Sequence, residues 1–357
     1  MQLKDTVVKE QSNHLKNEKM LFDWNNMSQK SIMSAWKDGN PTVSVSCLTY
    51  NHAKYIEQCL QSILMQRTTF PFEIVIHDDA SVDGTAEIIK HYQKRYPQII
   101  KPIFETVNQS ADRNVDVQLR MYHNMSGRYI AFCEGDDYWV DNYKLQKQYD
   151  FLEKNREYVV VGNLTKVFNQ IDEEIETFVD SKAGEYTIDD LNEWRLFAHF
   201  SSYFARNFCR YLSEEDLFTY LSLNCPGDRK FPFLFFKLGK LYVLPFWGTV
   251  YRYQSSKGSY TQSKNFGNRI VQWEELREVS AYANISGVCF DRRIRERELI
   301  MFLLIDAIVG KNREDYAMVR KERNSTIVKD IKYCGGYFLF RAMLYIKKRI
   351  RRIIHSI

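Results

Sequence analysis

No stretch of this chain stays apolar and uncharged over the ~20 residues that a membrane-spanning helix requires. The strongest run, Ile300-Met301-Phe302-Leu303-Leu304-Ile305, ends at Asp306. The first residues carry Lys4, Asp5, Lys9 and Glu10 where a secretory leader would be apolar, so no signal peptide is expected. The seven cysteines, at 47, 59, 133, 209, 225, 289 and 334, are odd in number and include no pair spaced by two residues. That scatter argues against a zinc site or a disulfide frame and predicts reduced thiols in a cytoplasmic protein. Gly84-Thr85 lacks the preceding Lys and the spacing of an ATPase phosphate loop. No nucleophile paired with a histidine is visible, and neither a repeat nor a low-complexity tract appears.

What is present describes a globular chain. Hydrophobic residues make up 45% and aromatics 15%, which excludes a disordered polymer. At 357 residues the chain is large for one core, so two halves are expected. The net charge of +5 is uneven: from Ile331 to Ile357 there are seven Lys or Arg and no acid, leaving 5 − 7 = −2 elsewhere. Leu339, Met343, Leu344, Ile346, Ile350, Ile353, Ile354 and Ile357 interleave with these cations and include pairs at three and four, consistent with a partly amphipathic helix. A basic amphipathic tail of this kind can lie on an anionic membrane surface, or pack on the protein with its lysines in water. No nucleic-acid reading module accompanies it, so nucleic acid is not an expected partner.

Three short runs read as buried parallel strands: residues 42–49, 72–76 and 128–133, each rich in β-branched or aromatic residues. Between them, Ile56, Leu60, Ile63 and Leu64, then Ile88, Ile89, Tyr92 and Tyr96, keep a helical period, the second until Pro97. Strand and helix alternate, which predicts an α/β core with a mainly parallel sheet. Residues 1–40 read as a helical arm, residues 255–275 as a mobile loop, and Glu274 to Arg323 as helical.

Acidic motifs follow two of these strands: His77-Asp78-Asp79 and Glu134-Gly135-Asp136-Asp137; a third, Gly227-Asp228, lies downstream. Carboxylates where buried strands end can hold a metal, a base and a reacting hydroxyl in one crevice. Each motif also has a plainer reading. Asp78 or Asp79 can cap the turn at Ser81-Val82-Asp83-Gly84. Asp136 or Asp137 can cap a helix starting near Asn142, and Pro226-Gly227-Asp228, with Pro232 in the following first turn, matches a helix N-cap.

Val45-Ser46-Cys47-Leu48-Thr49-Tyr50-Asn51-His52, Glu73-Ile74-Val75-Ile76-His77-Asp78-Asp79-Ala80-Ser81-Val82-Asp83-Gly84-Thr85 and Gly127 to Trp139 together resemble glycosyltransferase family 2. These are inverting enzymes of the GT-A fold, and the resemblance covers roughly residues 42–155, more weakly 198–260. It implies a GT-A domain over 41–260, with a nucleotide-sugar half at 41–155 and an acceptor half at 156–260, followed by a helical region at 261–357. It implies Mn²⁺ or Mg²⁺ at Asp136, with Asp137 a second candidate ligand and Glu134 standing where the family commonly has Asp. Asp78 or Asp79 would accept the imide hydrogen of a uracil-like base, with Thr49, Tyr50, Asn51 and, more weakly, Asn108 lining the donor site.

Gly227-Asp228, Gly239-Lys240 (239 − 228 = 11) and Tyr251-Arg252 (251 − 239 = 12) keep the register of a bacterial subgroup of the family. That register implies Asp228 as the base that deprotonates the acceptor hydroxyl and places Arg252 at the donor site. The chain departs from the subgroup at Arg229-Lys230, where Trp-Pro is common, and at Gln254, where His is common. The implied activity is transfer from a nucleotide sugar, a UDP-sugar first, to a glycan or lipid-linked acceptor in cell-surface polysaccharide or lipopolysaccharide synthesis. It would take place in the cytoplasm or on the inner face of the membrane. The alternatives are an inactive GT-A domain serving as a scaffold and a sugar nucleotidyltransferase; the latter needs a glycine-rich basic loop that Thr49-Tyr50-Asn51-His52 does not supply.

Overall fold

The computed structural model describes residues 27–37, 39–109, 115–169, 174–177, 182–253, 269–308 and 313–334. The chain divides into two compact units. The first comprises residues up to Tyr186, Leu196–Ser222 and Leu234–Ser255; the second comprises Thr187–Arg195, Leu223–Phe233 and residues from Ser256 on.

The first unit is built on a ten-stranded sheet. Its strands are β1 (Val43–Thr49), β2 (Phe72–Asp78), β3 (Ile100–Phe104), β4 (Tyr129–Phe132), β5 (Tyr138–Trp139), β6 (Tyr158–Asn169), β7 (Glu174–Thr177), β8 (Gly184–Tyr186), β9 (Phe204–Arg206) and β10 (Lys240–Tyr253). The order is β3-β2-β1-β4-β9-β6-β10-β5, with β7 on β6 and β8 on β10. The three runs expected to be parallel strands are so: β1 pairs in parallel with both β2 and β4, and β2 with β3. Beyond β4 the sheet turns mixed, because the short β9 enters antiparallel between β4 and β6, while β6 and β10 run parallel.

The β1–β2–β4 layer is buried on both faces, as parallel strands covered by helices are; Val43, Val45, Cys47, Phe72, Ile74 and Ile76 alternate with the buried polar residues Ser44, Ser46, Glu73 and His77. The helix Ile56–Leu64 buries Ile56, Cys59, Leu60, Ile63 and Leu64, spaced at three and four residues. Each such side chain contributes ~1.5–3 kcal/mol of transfer free energy. The helix Thr85–Arg95 starts after Gly84, whose φ of 97° suits glycine. Of the expected N-terminal arm, residues 1–26 lie outside the described residues. Its end is a short helix, Gln29–Met33, beside which Trp36 packs on the core and donates from Nε1 to Thr68 Oγ1 at 3.1 Å.

The second unit is helical. Arg269–Ser286, Arg293–Ile308 and Arg313–Glu322 bury Trp273, Leu276, Leu299, Leu303, Leu304, Tyr316 and Val319 in one cluster. The loop expected over 255–275 therefore ends earlier than its polar composition suggested: helix begins at Arg269 because Trp273 is a core residue, 4% exposed. Residues 254–268 lie outside the described residues. The helix Gly227–Leu238 begins in this unit, so Pro232 is its sixth residue and not part of its first turn. No helix among the described residues is long and apolar enough to cross a membrane.

Candidate active site

Parallel pairing places the carboxyl ends of β1, β2 and β4 at one edge of the sheet, with Thr49 beside Asp78 and Ser46 beside Phe132. The ladder continues past the end of β4: Cys133 N donates to Ser46 O at 3.0 Å and Gly135 N to Leu48 O at 2.8 Å. These two bonds lay the segment Glu134–Asp137 alongside Thr49. The approach is close enough that only glycine fits at 135. A Cβ there would stand 2.8 Å from Thr49 Cβ and Oγ1 and 3.0 Å from His52 Nδ1.

The loop after β1 is locked by its own polar groups. Asn51 takes a φ of 56°, a left-handed conformation that Asn tolerates, and its Oδ1 accepts from Val82 N at 2.9 Å while its N donates to Ser81 Oγ at 2.8 Å. His52 N donates to Thr85 Oγ1 at 2.9 Å. The two acids after β2 then part company. Asp78 accepts from Ser81 Oγ at 2.5 Å and Ser81 N at 3.3 Å, the turn-capping arrangement. Asp79 is held from another side: its Oδ1 accepts from Gln109 N at 2.7 Å, and Asn108 Nδ2 donates to its carbonyl at 3.4 Å. Tyr50, 43% exposed, offers its ring to solvent beside them, whereas Thr49 is buried.

Asp136 and Asp137 differ in the same way. Asp137 is fully buried; its Oδ2 accepts from Ser201 Oγ at 2.5 Å and its Oδ1 from Arg252 N at 3.0 Å. Burial, reinforced by the neighbouring Asp136 charge, raises its pKa well above the carboxylate range. Asp136 instead keeps a quarter of its side chain exposed, with His52 Nε2 3.9 Å from its Oδ2. Neither acid caps the next helix, which starts at Lys144 with no side-chain cap.

Arg252 works as a strut. Its guanidinium donates to the Asp136 carbonyl and to Gln58 Oε1, and stacks over Tyr138 at 4.5 Å from the ring centre. His199 opens a short 3₁₀ turn, stacks on Tyr251 at 4.3 Å and places Nδ1 3.6 Å from Asp137 Oδ2. Burial lowers its pKa to about 3, leaving a neutral imidazole suited to ligation. Glu134, Asp137 and His199 each offer one ligand atom, all within 4.8 Å of one another.

Asp228 belongs to the second unit. It is the second residue of the helix Gly227–Leu238, so it sits inside the first turn and not at the cap position. Pro232 carries no N–H, which deprives the Asp228 carbonyl of its helical donor. Its carboxyl pKa is raised by burial, against the opposing Arg229 charge.

The first unit thus brings together Thr49, Tyr50, Asn51, Asp78, Asp79, Asn108, Glu134, Asp136, Asp137 and Arg252. Residues 44–212 match the family described as Glycosyl transferase family 2. The chain carries a glycosyltransferase family 2 domain. An uncharacterised protein of Mycobacterium tuberculosis is 42% identical over 125 residues, 35% of this chain and 35% of that protein. The putative glycosyltransferase EpsE of Bacillus subtilis is 36% identical over 133 residues, 37% of this chain and 46% of its own length. The chain therefore spans well under two thirds of these curated relatives. Residues 1–349 of S. aureus TarS, solved in complex with UDP-GlcNAc, superpose with a TM-score of 0.53 at 18% identity, covering 78% of this chain and 75% of that one. That likeness is one of fold: the family 2 domain here is a mixed α/β GT-A domain.

Sequence reading gave no role to two members of the site. His52 follows Tyr50-Asn51 directly and its adjacency was a usable signal. Gln58 carried none, since its partner Arg252 is far away in the chain.

Proposed function

We propose that the protein transfers a sugar from a nucleoside-diphosphate sugar, a UDP-sugar, to a hydroxyl of a glycan or lipid-linked acceptor in cell-surface polysaccharide synthesis. The observation that carries this reading is the convergence of Tyr50, Asp79 and Asp136 at the carboxyl ends of β1, β2 and β4, where open α/β sheets bind their ligands. The names of relatives support it: a poly(ribitol-phosphate) beta-glucosyltransferase of Bacillus spizizenii is 31% identical over 128 residues. The UDP-GlcNAc bound to TarS supports a uridine donor.

Asp79, held by Gln109 and Asn108, is the acid assigned to the base, since Asp78 is engaged in the turn. Tyr50 offers an aromatic face to the same ligand. A hard divalent cation, Mn²⁺ or Mg²⁺, would be held by Asp136, which presents a part-exposed carboxylate; Glu134, Asp137 and His199 form a separate group of candidate ligands that does not include Asp136. When bound, such a cation neutralises charge on the departing diphosphate. Arg252 and Ser201 position this segment: one grips the Asp136 carbonyl, the other bridges Asp137 and Glu134 N.

Asp228 takes the proton of the acceptor hydroxyl, and a raised pKa makes it a stronger base than a solvated carboxylate. In-line attack by that hydroxyl inverts the anomeric centre. We assign the nucleotide-sugar half to 41–155 and the acceptor half to 156–260. A screen of nucleotide sugars with Mn²⁺, scoring release of nucleoside diphosphate, tests the activity; release from none of them, by protein shown to be folded, contradicts it.

A further inference from the structure

The last described helix, residues 327–334, is anchored along one stripe and carries exposed apolar residues beside it. Asp330 is 1% exposed and accepts from Tyr316 OH at 2.8 Å and Ser325 Oγ at 3.0 Å, while Cys334 is buried in the helical core. Next to this stripe, Ile327, Val328 and Ile331 are 45%, 61% and 42% exposed. At 3.6 residues per turn these three fall on one arc of about 100°, and the exposed Lys332 and Lys329 follow on its flank. An apolar arc edged by lysines is the pattern of a helix lying in a membrane interface.

The sequence beyond this helix continues the pattern. From Ile331 the apolar residues Phe338, Leu339, Phe340, Met343, Leu344, Ile346, Ile350, Ile353, Ile354 and Ile357 follow, with pairs at three and four residues among them. The same stretch carries seven Lys or Arg and no acid. Two copies of such a face would bring like charges together, whereas an anionic lipid surface complements them.

We propose that the Ile327–Val328–Ile331 face is a docking surface for an anionic lipid bilayer, so that membrane contact begins on the folded helical unit and not only in the tail. This rests on the reading of the basic tail as membrane-binding. Insertion of the apolar arc supplies burial, and Lys329 and Lys332 supply attraction to lipid headgroups.

The test is co-sedimentation of the full chain with vesicles of phosphatidylglycerol and phosphatidylcholine, and of phosphatidylcholine alone. Wild type is compared with Ile327→Ser/Val328→Ser/Ile331→Ser and with Lys347→Gln/Lys348→Gln/Arg349→Gln. The expected result is that the apolar variant loses ~10-fold or more of its partitioning with its tail intact. Its melting temperature should be unchanged, since the replaced side chains are exposed. Ile331→Trp should show a blue-shifted emission on adding the anionic vesicles.

Apolar-variant binding equal to wild type, with the charge variant impaired, overturns the face and leaves the tail reading standing. Absence of wild-type binding to any vesicle overturns both. Unchanged vesicle binding with a fall in oligomeric mass would assign the face to a second copy, and unchanged binding with a lowered melting temperature would assign it to the chain's own tail. Either outcome overturns the proposal.

Discussion

Lys144 offers a quantitative test of how the acidic segment is supported. It is fully buried, its ammonium donates to Gln148 Oε1 at 2.9 Å and lies 4.0 Å from the centre of the Trp139 ring, and no carboxylate pairs with it among the described residues. Trp139 in turn donates to Ser201 O at 2.8 Å, and Ser201 bonds Asp137, so the lysine sits one layer beneath the site. Burial pulls its pKa down to about 7. A solvated lysine titrates at ~10.4, so the folded state costs roughly 4–5 kcal/mol to hold this charge at 1.36 kcal/mol per unit.

Lys144→Met removes that cost and keeps the volume, but leaves the Gln148 carbonyl without its donor, a loss of ~1–3 kcal/mol. The variant should therefore be more stable at neutral pH by on the order of 1–3 kcal/mol. The sign with pH follows from proton binding. Between about pH 7 and ~10.4 the unfolded chain holds the lysine proton and the folded chain has lost it, so this group's contribution to stability rises with pH. The advantage of the variant is thus greatest at and below pH 7, falls as the pH rises, and reverses by pH ~10, where only the lost Gln148 bond remains. Urea unfolding of both proteins at several pH values reads it directly. A stability difference that stays constant across the range refutes the reasoning.

Gly135→Ala must push a methyl against Thr49 and His52 at 2.8–3.0 Å, and should cost ~1–3 kcal/mol in denaturant unfolding while weakening Mn²⁺-dependent binding of UDP. A variant with wild-type stability and binding would mean that the segment is not held closely against β1. Asp228→Asn should keep its melting temperature and its affinity for the donor but lose ~10²–10⁴-fold in transfer. Because burial raises the Asp228 pKa, the acidic limb of kcat/KM should lie above the ~3.9 of a solvated aspartate, with activity falling as the pH drops through it. A limb at or below that value, or transfer unimpaired in the variant, would remove Asp228 from the role of base.

The core of the fold was legible because buried parallel strands and amphipathic helices leave strong local patterns: β1, β2, β4 and the helices after β1 and β2 stand where the apolar spacing put them. The antiparallel insertion of β9 was not legible, since three residues, Phe204–Arg206, carry no period and their placement depends on partners far away in sequence. Paired acids were visible as pairs, but the division of labour within each pair was not. Asp78 and Asp79 are adjacent and alike; what separates them is Ser81 on one side and Gln109 on the other. Asp136 and Asp137 are separated by Ser201 and Arg252, which the fold brings from distant positions. The early start of the helix at Arg269 was masked by polar neighbours, because one buried Trp273 outweighs several exposed hydrophilic residues.

The central claim is that Asp136 holds a divalent cation against the diphosphate of the donor, and calorimetry of UDP binding with and without Mn²⁺ tests it most directly. Wild type should bind UDP more tightly with Mn²⁺ than without. Asp136→Asn, which removes a ligand charge at a part-exposed strand-end position, should keep its melting temperature and lose that Mn²⁺-dependent gain. An Asp136→Asn protein that binds UDP with the same Mn²⁺-dependent affinity as wild type would contradict the account.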